Sequence, residues 1–279
     1  MPDDGGQVLL RATGLTVSFG GVRAVDDVDL AVRQGSLVGL IGPNGAGKTT
    51  TIDALTGFVP HRGRVEVDGR SLDRLGPHRR AAAGLARTWQ SLELFDDLTV
   101  LENCRVAADR PSLRAFLADL VRPARPRDEA DLWWALDLLG LTDLADARPT
   151  DLPLGHRKLA AVARALAARP RLVLLDEPAA GLDSEESLVL GERLRHILDH
   201  GISVFLVDHD MGLVLGVCDE LYVLDFGRVI AHGTPAQIRA DARVIEAYLG
   251  ETHGTGGTSP PSSVVGPSAS PGAVPEGRG

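Results

Sequence analysis

The sequence predicts an α/β protein in which a parallel sheet is preceded by an antiparallel β layer and interrupted by a helical subdomain. Three observations carry this reading. The runs Leu37-Val38-Gly39-Leu40-Ile41, Leu172-Val173-Leu174-Leu175 and Ser203-Val204-Phe205-Leu206-Val207 are short and apolar, with helical patterning around them, as buried parallel strands are. Residues 8–35 instead alternate apolar and polar positions, as in Leu15-Thr16-Val17-Ser18-Phe19 and Val28-Asp29-Leu30-Ala31-Val32, the mark of half-buried antiparallel strands. Residues 86–160 change character, with helical spacing of charged and apolar residues, prolines at 111, 123, 126 and 149, and an arginine-rich run over 114–127.

After the first apolar run comes Gly42-Pro43-Asn44-Gly45-Ala46-Gly47-Lys48-Thr49, which fills G-x-x-x-x-G-K-[ST] at every defined position. Lys48, Thr49 and Thr50 then open a helix that continues to Leu55. Glycines let backbone N–H groups face phosphates at a helix start, and a compact ammonium reaches between β- and γ-phosphates as a point charge. The pattern predicts a nucleoside triphosphate bound with Mg²⁺, the Thr49 hydroxyl serving the cation. Only two of the 29 basic residues are lysines, Lys48 and Lys158, so a lysine at this position is not ordinary surface charge.

Further along, Gly63-Arg64-Val65-Glu66-Val67-Asp68-Gly69 alternates again and ends in a turn signal, which assigns it to the antiparallel layer. Residues 128–139 read as a helix with acids in its first turn and Gly140 near its end. Trp133 and Trp134 are adjacent and cannot share one helix face, so one is expected in the core and the other against a neighbouring element or partner. The strand 172–175 delivers Asp176 and Glu177: the first is expected to hold Mg²⁺ through its water shell, the second to polarise the attacking water. The strand 203–207 delivers His209 to the same edge, between acids that could fix its tautomer, where it would contact the γ-phosphate. Residues 251–279, rich in Gly, Ser, Pro and Thr without apolar periodicity, read as a disordered tail.

At 279 residues the chain is long enough for one large domain or two small ones. A formal charge of −9 argues against nucleic acid as a partner. Cys104 and Cys218 have no C-x-x-C spacing, which suggests neither a zinc site nor a disulfide framework and predicts reduced thiols. The first residues show neither a basic stretch nor an apolar segment, so no export signal is expected, and no apolar run is long enough to span a bilayer.

Together these residues resemble the ATP-binding subunit of an ABC transporter over residues 8–250, with the helical subdomain at about 86–160. The resemblance implies ATP and Mg²⁺ as ligands, with Glu177, His209 and Gln90 catalytic. Gln90 would also reach the metal with Thr49 and Asp176. Asp183, in Ala180-Gly181-Leu182-Asp183, would lie in the loop through which two such subunits communicate. Phe19 falls where the family sets an aromatic against adenine, although a strand residue could equally be core. The family signature Leu-Ser-Gly-Gly-Gln corresponds to Leu152-Pro153-Leu154-Gly155-His156, where Pro153 supplies neither hydroxyl nor N–H. Gly155 can still offer its N–H to an anion, and His156, Arg157 and Lys158 add positive charge.

The stretches 94–103, 176–182, 208–211 and 244–251 look like ATPases of branched-chain amino acid importers. That likeness implies a second ATP-binding subunit, a membrane permease receiving its cytoplasmic helix near Gln90 and residues 92–98, indirectly an external solute-binding protein, and a place on the cytoplasmic face of the membrane. ATPases for urea or amphipathic lipids share much of this wording. A slow regulatory module and a soluble ABC ATPase acting on ribosomes or DNA are the competing readings, and the acidic balance and single nucleotide motif weigh against the last.

Overall fold

A computed structural model describes residues 6–89, 93–108 and 129–252, the last four in backbone only. β1 (Val8–Phe19) and β2 (Val22–Arg33) form a long hairpin. β3 (Leu37–Ile41) leads through the glycine loop into α1 (Lys48–Thr56). β4 (Arg62–Val67) and β5 (Arg70–Ser71) turn about Asp68 and Gly69, at φ 51° and 69°, the left-handed pair that a tight hairpin needs. β4 pairs with β1, giving an antiparallel layer in the order β2-β1-β4-β5.

α2 (Pro77–Ala82) and β6 (Leu85–Arg87) follow, then α3 (Val100–Ala108), α4 (Ala130–Leu138) and α5 (Leu154–Leu166). The chain returns to the sheet with β7 (Leu172–Asp176), α6 (Ser184–Asp199), β8 (Ser203–Val207) and α7 (Met211–Val217). It closes with β9 (Glu220–Asp225), β10 (Arg228–Gly233), α8 (Pro235–Ala240) and α9 (Ala242–Thr252). The second sheet runs β10-β9-β3-β8-β7-β6 and is parallel except for the β9–β10 hairpin. The expected α/β architecture, with its antiparallel layer and helical insertion, is the one found.

Alternation along each central strand divides the core in two. Leu37, Ile41, Val173, Leu175, Val204 and Leu206 face the helices. Val38, Leu40, Leu172, Leu174, Phe205 and Val207 face the antiparallel layer and α1. Each such side chain, fully buried, stabilises the fold by about 1.5–3 kcal/mol before entropy is counted. The Ala31 N–H donates to the Tyr222 hydroxyl at 3.0 Å, fastening β2 to β9 across the layers. Both cysteines are free and buried, and burial pushes the Cys104 thiol up to about 12.

The helical segment is built on α5, whose Leu159, Val162, Ala163 and Leu166 recur at helical spacing and pack with α3 and α4. α5 runs past the boundary of 160 drawn from the sequence. In α4 the buried face is Leu132, Ala135, Leu136 and Leu138, so neither tryptophan is the core residue that patterning suggested. Trp133 is 39 % exposed, while Trp134 packs at the core's edge, donates to His200 and lies under the Arg169 guanidinium at 3.5 Å. α9 includes Glu251 and Thr252, which composition had placed in the tail; residues 253–279 and the arginine-rich run 114–127 lie outside the described residues.

Candidate functional site

Parallel register brings the ends of three strands to one edge. Leu40 and Asp176 both pair with Val207, so the residues that follow β3, β7 and β8 emerge side by side. Crevices outside the carboxyl ends of parallel strands are where α/β sheets bind ligands. The glycine loop, the Asp176-Glu177 pair and His209 therefore share one edge.

Two of the loop glycines are required by packing as well as by φ. A Cβ on Gly42 would lie 2.0 Å from the Leu224 carbonyl oxygen, and one on Gly47, at φ 105°, would lie 2.3 Å from that of Ala24. Gly47→Ala should lower the urea-unfolding free energy by about 3 kcal/mol or more and abolish nucleotide binding, since strain and overpacking add. Ala46 is buried between the Pro43 carbonyl, which accepts its N–H at 3.1 Å, and the Gly227 N–H, which its own carbonyl accepts at 2.9 Å. α1 begins with no side-chain cap and no acid in its first turn, leaving its N–H groups and dipole for an anion. The Lys48 ammonium, 5 % exposed, folds over the loop and donates to the Gly42 and Pro43 carbonyls at 2.7 and 3.0 Å. Asn44 and Thr49 are exposed on the loop and its helix, with Thr50 half-buried behind them.

Asp176 is 2 % exposed; its Oδ2 accepts from Arg87 at 3.1 Å, and its Oδ1 has no hydrogen-bond partner among the described residues. Burial pushes this carboxyl above the usual range, against the pull of Arg87. An orphaned buried carboxylate oxygen at a phosphate site fits a Mg²⁺ ion. Among the described residues no group of three His, Cys, Asp or Glu could cage a metal by itself. That suits a cation held mainly by phosphates and water.

Glu177 adopts φ 48°, a left-handed conformation that non-glycine residues rarely hold and that concentrates at functional sites. Its N–H donates to the Val207 carbonyl at 2.7 Å, and its carbonyl accepts from Lys158 Nζ at 3.4 Å. Lys158, 7 % exposed on α5, is thus turned inward; burial lowers its ammonium pKa while Asp208 and Glu177 oppose the shift. Of the three basic residues that add positive charge after Gly155, it is the buried one, His156 being exposed and Arg157 half-buried.

His209 is 57 % exposed in its side chain, with Nδ1 3.8 Å from both Glu177 Oε2 and Asp208 Oδ1. Neither distance is a hydrogen bond, so its tautomer is not fixed by these acids. Asp208 has a different task, which sequence reasoning missed. Fully buried, it accepts the N–H groups of His209 and Asp210 on Oδ1 and of Ala179 on Oδ2, binding the loop after β8 to the loop after β7. Asp210 caps α7 through the Leu213 N–H.

Asp183 is the N-cap of α6, its carboxylate accepting from the Glu185 and Glu186 N–H groups at 2.9 Å in a capping box. Glu186 lies against Gly155, where a Cβ would come within 2.9 Å of its Oε1. Pro153 is the N-cap of α5, which starts at Leu154 without a side-chain cap and with no acid in its first turn. Phe19 ends β1 with 52 % of its surface exposed, so it is not a core residue. Gln90 lies outside the described residues. Arg87, unnoticed in the sequence, is buried in the site's floor.

An anion-receptive helix start beside an orphaned carboxylate oxygen defines a P-loop nucleotide site, and the antiparallel layer and helical segment give it the form of an ATP-binding cassette. The chain belongs to the ABC transporter family, whose model matches residues 25–180, and it is an ATPase subunit of that family. A second model, the branched-chain amino acid ATP-binding cassette transporter, matches residues 228–254. The chain is 41 % identical to the high-affinity branched-chain amino acid transport ATP-binding protein BraF of Pseudomonas aeruginosa, covering 87 % of this chain and 98 % of that protein. With LivG of Escherichia coli K12, another high-affinity branched-chain amino acid transport ATP-binding protein, it shares 38 % over 88 % of this chain and 99 % of the other. The lipopolysaccharide export system ATP-binding protein LptB of E. coli K12 is 36 % identical over 87 and 97 %. Among solved structures, a nucleotide-free ATP-binding cassette from an ABC transporter matches with TM-score 0.77 and 28 % identity, covering 87 % of this chain and 99 % of the other.

Proposed function

We propose that this chain powers an importer of branched-chain or chemically related amino acids through a separate membrane permease. The match of its C-terminal segment, 228–254, to the branched-chain model carries that reading over a lipid exporter such as LptB. The chain acts from the cytoplasmic face, and among its described residues no helix is long and apolar enough to cross a membrane.

Two cassettes close head to tail, each ATP lying between one loop and the other subunit's α5. Lys48 and the loop amides bind the phosphates, with Thr49 and Asp176 holding Mg²⁺, which when bound neutralises charge on the phosphate oxygens. Glu177 orients the attacking water and accepts its proton, His209 contacts the γ-phosphate, and Gln90, outside the described residues, would serve the metal and that water as the family resemblance implies. Phe19 stacks on adenine, using the face it leaves exposed. The bare start of α5 receives the partner's γ-phosphate on the Gly155 N–H, and Asp183 fixes the communicating loop by capping α6.

The permease's cytoplasmic helix docks in a cleft of about 480 Å³ between α2, β6 and α5, lined by Phe58, Trp89 and small residues such as Ala81, Ala161 and Ala165. Beside it, buried Asn103 pins the segment 95–99 by donating to the Phe95 and Thr99 carbonyls and accepting the Phe95 N–H.

The test is uptake of labelled leucine by cells of the source organism in which the chain is replaced by its Glu177→Gln form, alongside ATP hydrolysis by the purified protein. Lost leucine uptake with retained urea uptake is expected; unchanged leucine uptake overturns the substrate class. Pro153→Ser should raise turnover several-fold by restoring a hydroxyl, and stabilise α5 by about 1 kcal/mol as an N-cap. Unchanged hydrolysis and unchanged melting would show that Pro153 limits neither.

A further inference from the structure

Arg87 joins three parts of the molecule, and the reading of the phosphate site makes no use of it. Its side chain, 5 % exposed at the end of β6, donates through the guanidinium to Asp53 Oδ1 on α1 at 2.5 Å and to Asp176 Oδ2 on β7 at 3.1 Å. A third contact, to Thr56 Oγ1 at 3.4 Å, also falls on α1. The guanidinium carbon stands 4.0 Å from the centre of the Trp89 ring, and Trp89 meets Phe58 edge-on at 4.7 Å. Both rings line the cleft described above.

Two carboxylates share this one cation, and the second oxygen of Asp176 is buried without a hydrogen-bond partner among the described residues. A buried carboxylate in excess is costly, and a hydrated divalent cation facing its unpartnered oxygen would supply the balance. The fork shape matters, because one planar group must address two carboxylates from separate nitrogens while lying on an indole. A lysine would carry the charge to one of them.

We propose that Arg87 is a positioning residue for hydrolysis. By engaging Oδ2 of Asp176 and anchoring to Asp53 on the phosphate-loop helix, it leaves Oδ1 as the oxygen offered to the metal, and through Trp89 it couples that carboxylate to the cleft wall. This rests on the reading of the site as one for ATP and a divalent cation.

The experiment is ATP titration of the full chain carrying Trp133→Phe and Trp134→Phe, so that Trp89 alone reports, with Mg²⁺ and separately with EDTA. Arg87→Lys, Arg87→Gln and Asp53→Asn are compared in this background, thermal unfolding in EDTA confirming that each is folded. Metal-free ATP affinity is expected to agree within about twofold across the set, while the tightening by Mg²⁺ falls at least about tenfold in both Arg87 variants. Asp53→Asn, which frees the guanidinium from α1 but leaves it on Asp176, should lose part of that tightening. The change in Trp89 emission when Mg²⁺ joins bound ATP should vanish in Arg87→Gln. Undiminished tightening by Mg²⁺ in the folded variants overturns the proposal, as does equal loss of ATP affinity with and without metal, which would make Arg87 a support of α1 only. A parent chain that binds no ATP under either condition overturns the reading of the site itself.

Discussion

Replacing Glu177 by glutamine is expected to leave ATP binding intact and to lower turnover at least about 100-fold, the scale of a lost general base. The amide keeps the shape of the side chain and one acceptor oxygen, but it cannot take a proton from water. The backbone at this residue points the same way. A glutamate is held at φ 48° by a short bond to Val207 and a buried lysine on its carbonyl, an arrangement of a kind that costs about 1–3 kcal/mol and concentrates at functional sites. Steady-state phosphate release measures the loss, and an ATP-induced rise in melting temperature measures the binding. Near-parental turnover would remove Glu177 from the chemistry.

Lys48→Ala is expected to weaken ATP binding at least about 100-fold, since truncating one member of a buried charge-assisted contact costs about 2–5 kcal/mol. The ammonium sits where the Gly42 and Pro43 carbonyls already orient it, within reach of a phosphate entering the loop. Its removal also leaves those carbonyls without their donor. Lys48→Arg should not rescue, because a planar guanidinium does not fit a space shaped for a point charge. Melting curves with and without ATP decide the matter, and a shift equal to the parent's would contradict the role of the loop.

Much of this architecture was legible because it is written in local patterns. Runs that are apolar on both faces became the five-residue strands β3, β7 and β8, and strict alternation became the antiparallel layer. The glycine loop and the carboxylates after β7 declared themselves by spacing against those strands. What escaped is tertiary in origin. Arg87 meets Asp53 and Asp176 across 34 and 89 residues of chain, and no periodicity records such a meeting. Asp208 looks like a solvated acid at a strand end, yet it is fully buried because three backbone N–H groups satisfy it. Lys158 reads as one charge in a basic run, and only the packing of α5 against the core turns it inward. The tryptophan pair divides into an exposed Trp133 and a half-buried Trp134 at the core's edge, because Leu132, Ala135, Leu136 and Leu138 take the buried face of α4.

The inward placement of Lys48 and Lys158 has a practical side. They are the only lysines in the sequence, and both are buried, so the outer surface draws its side-chain positive charge from arginine and histidine. Acylating dyes, amine cross-linkers and lysine-coupled resins all attack an unprotonated, accessible amine, and no lysine on this exterior offers one. Chemistry of that kind is left with the α-amino group as its main target instead of coating the molecule, and a lysine handle elsewhere on the surface has to be introduced as a new side chain.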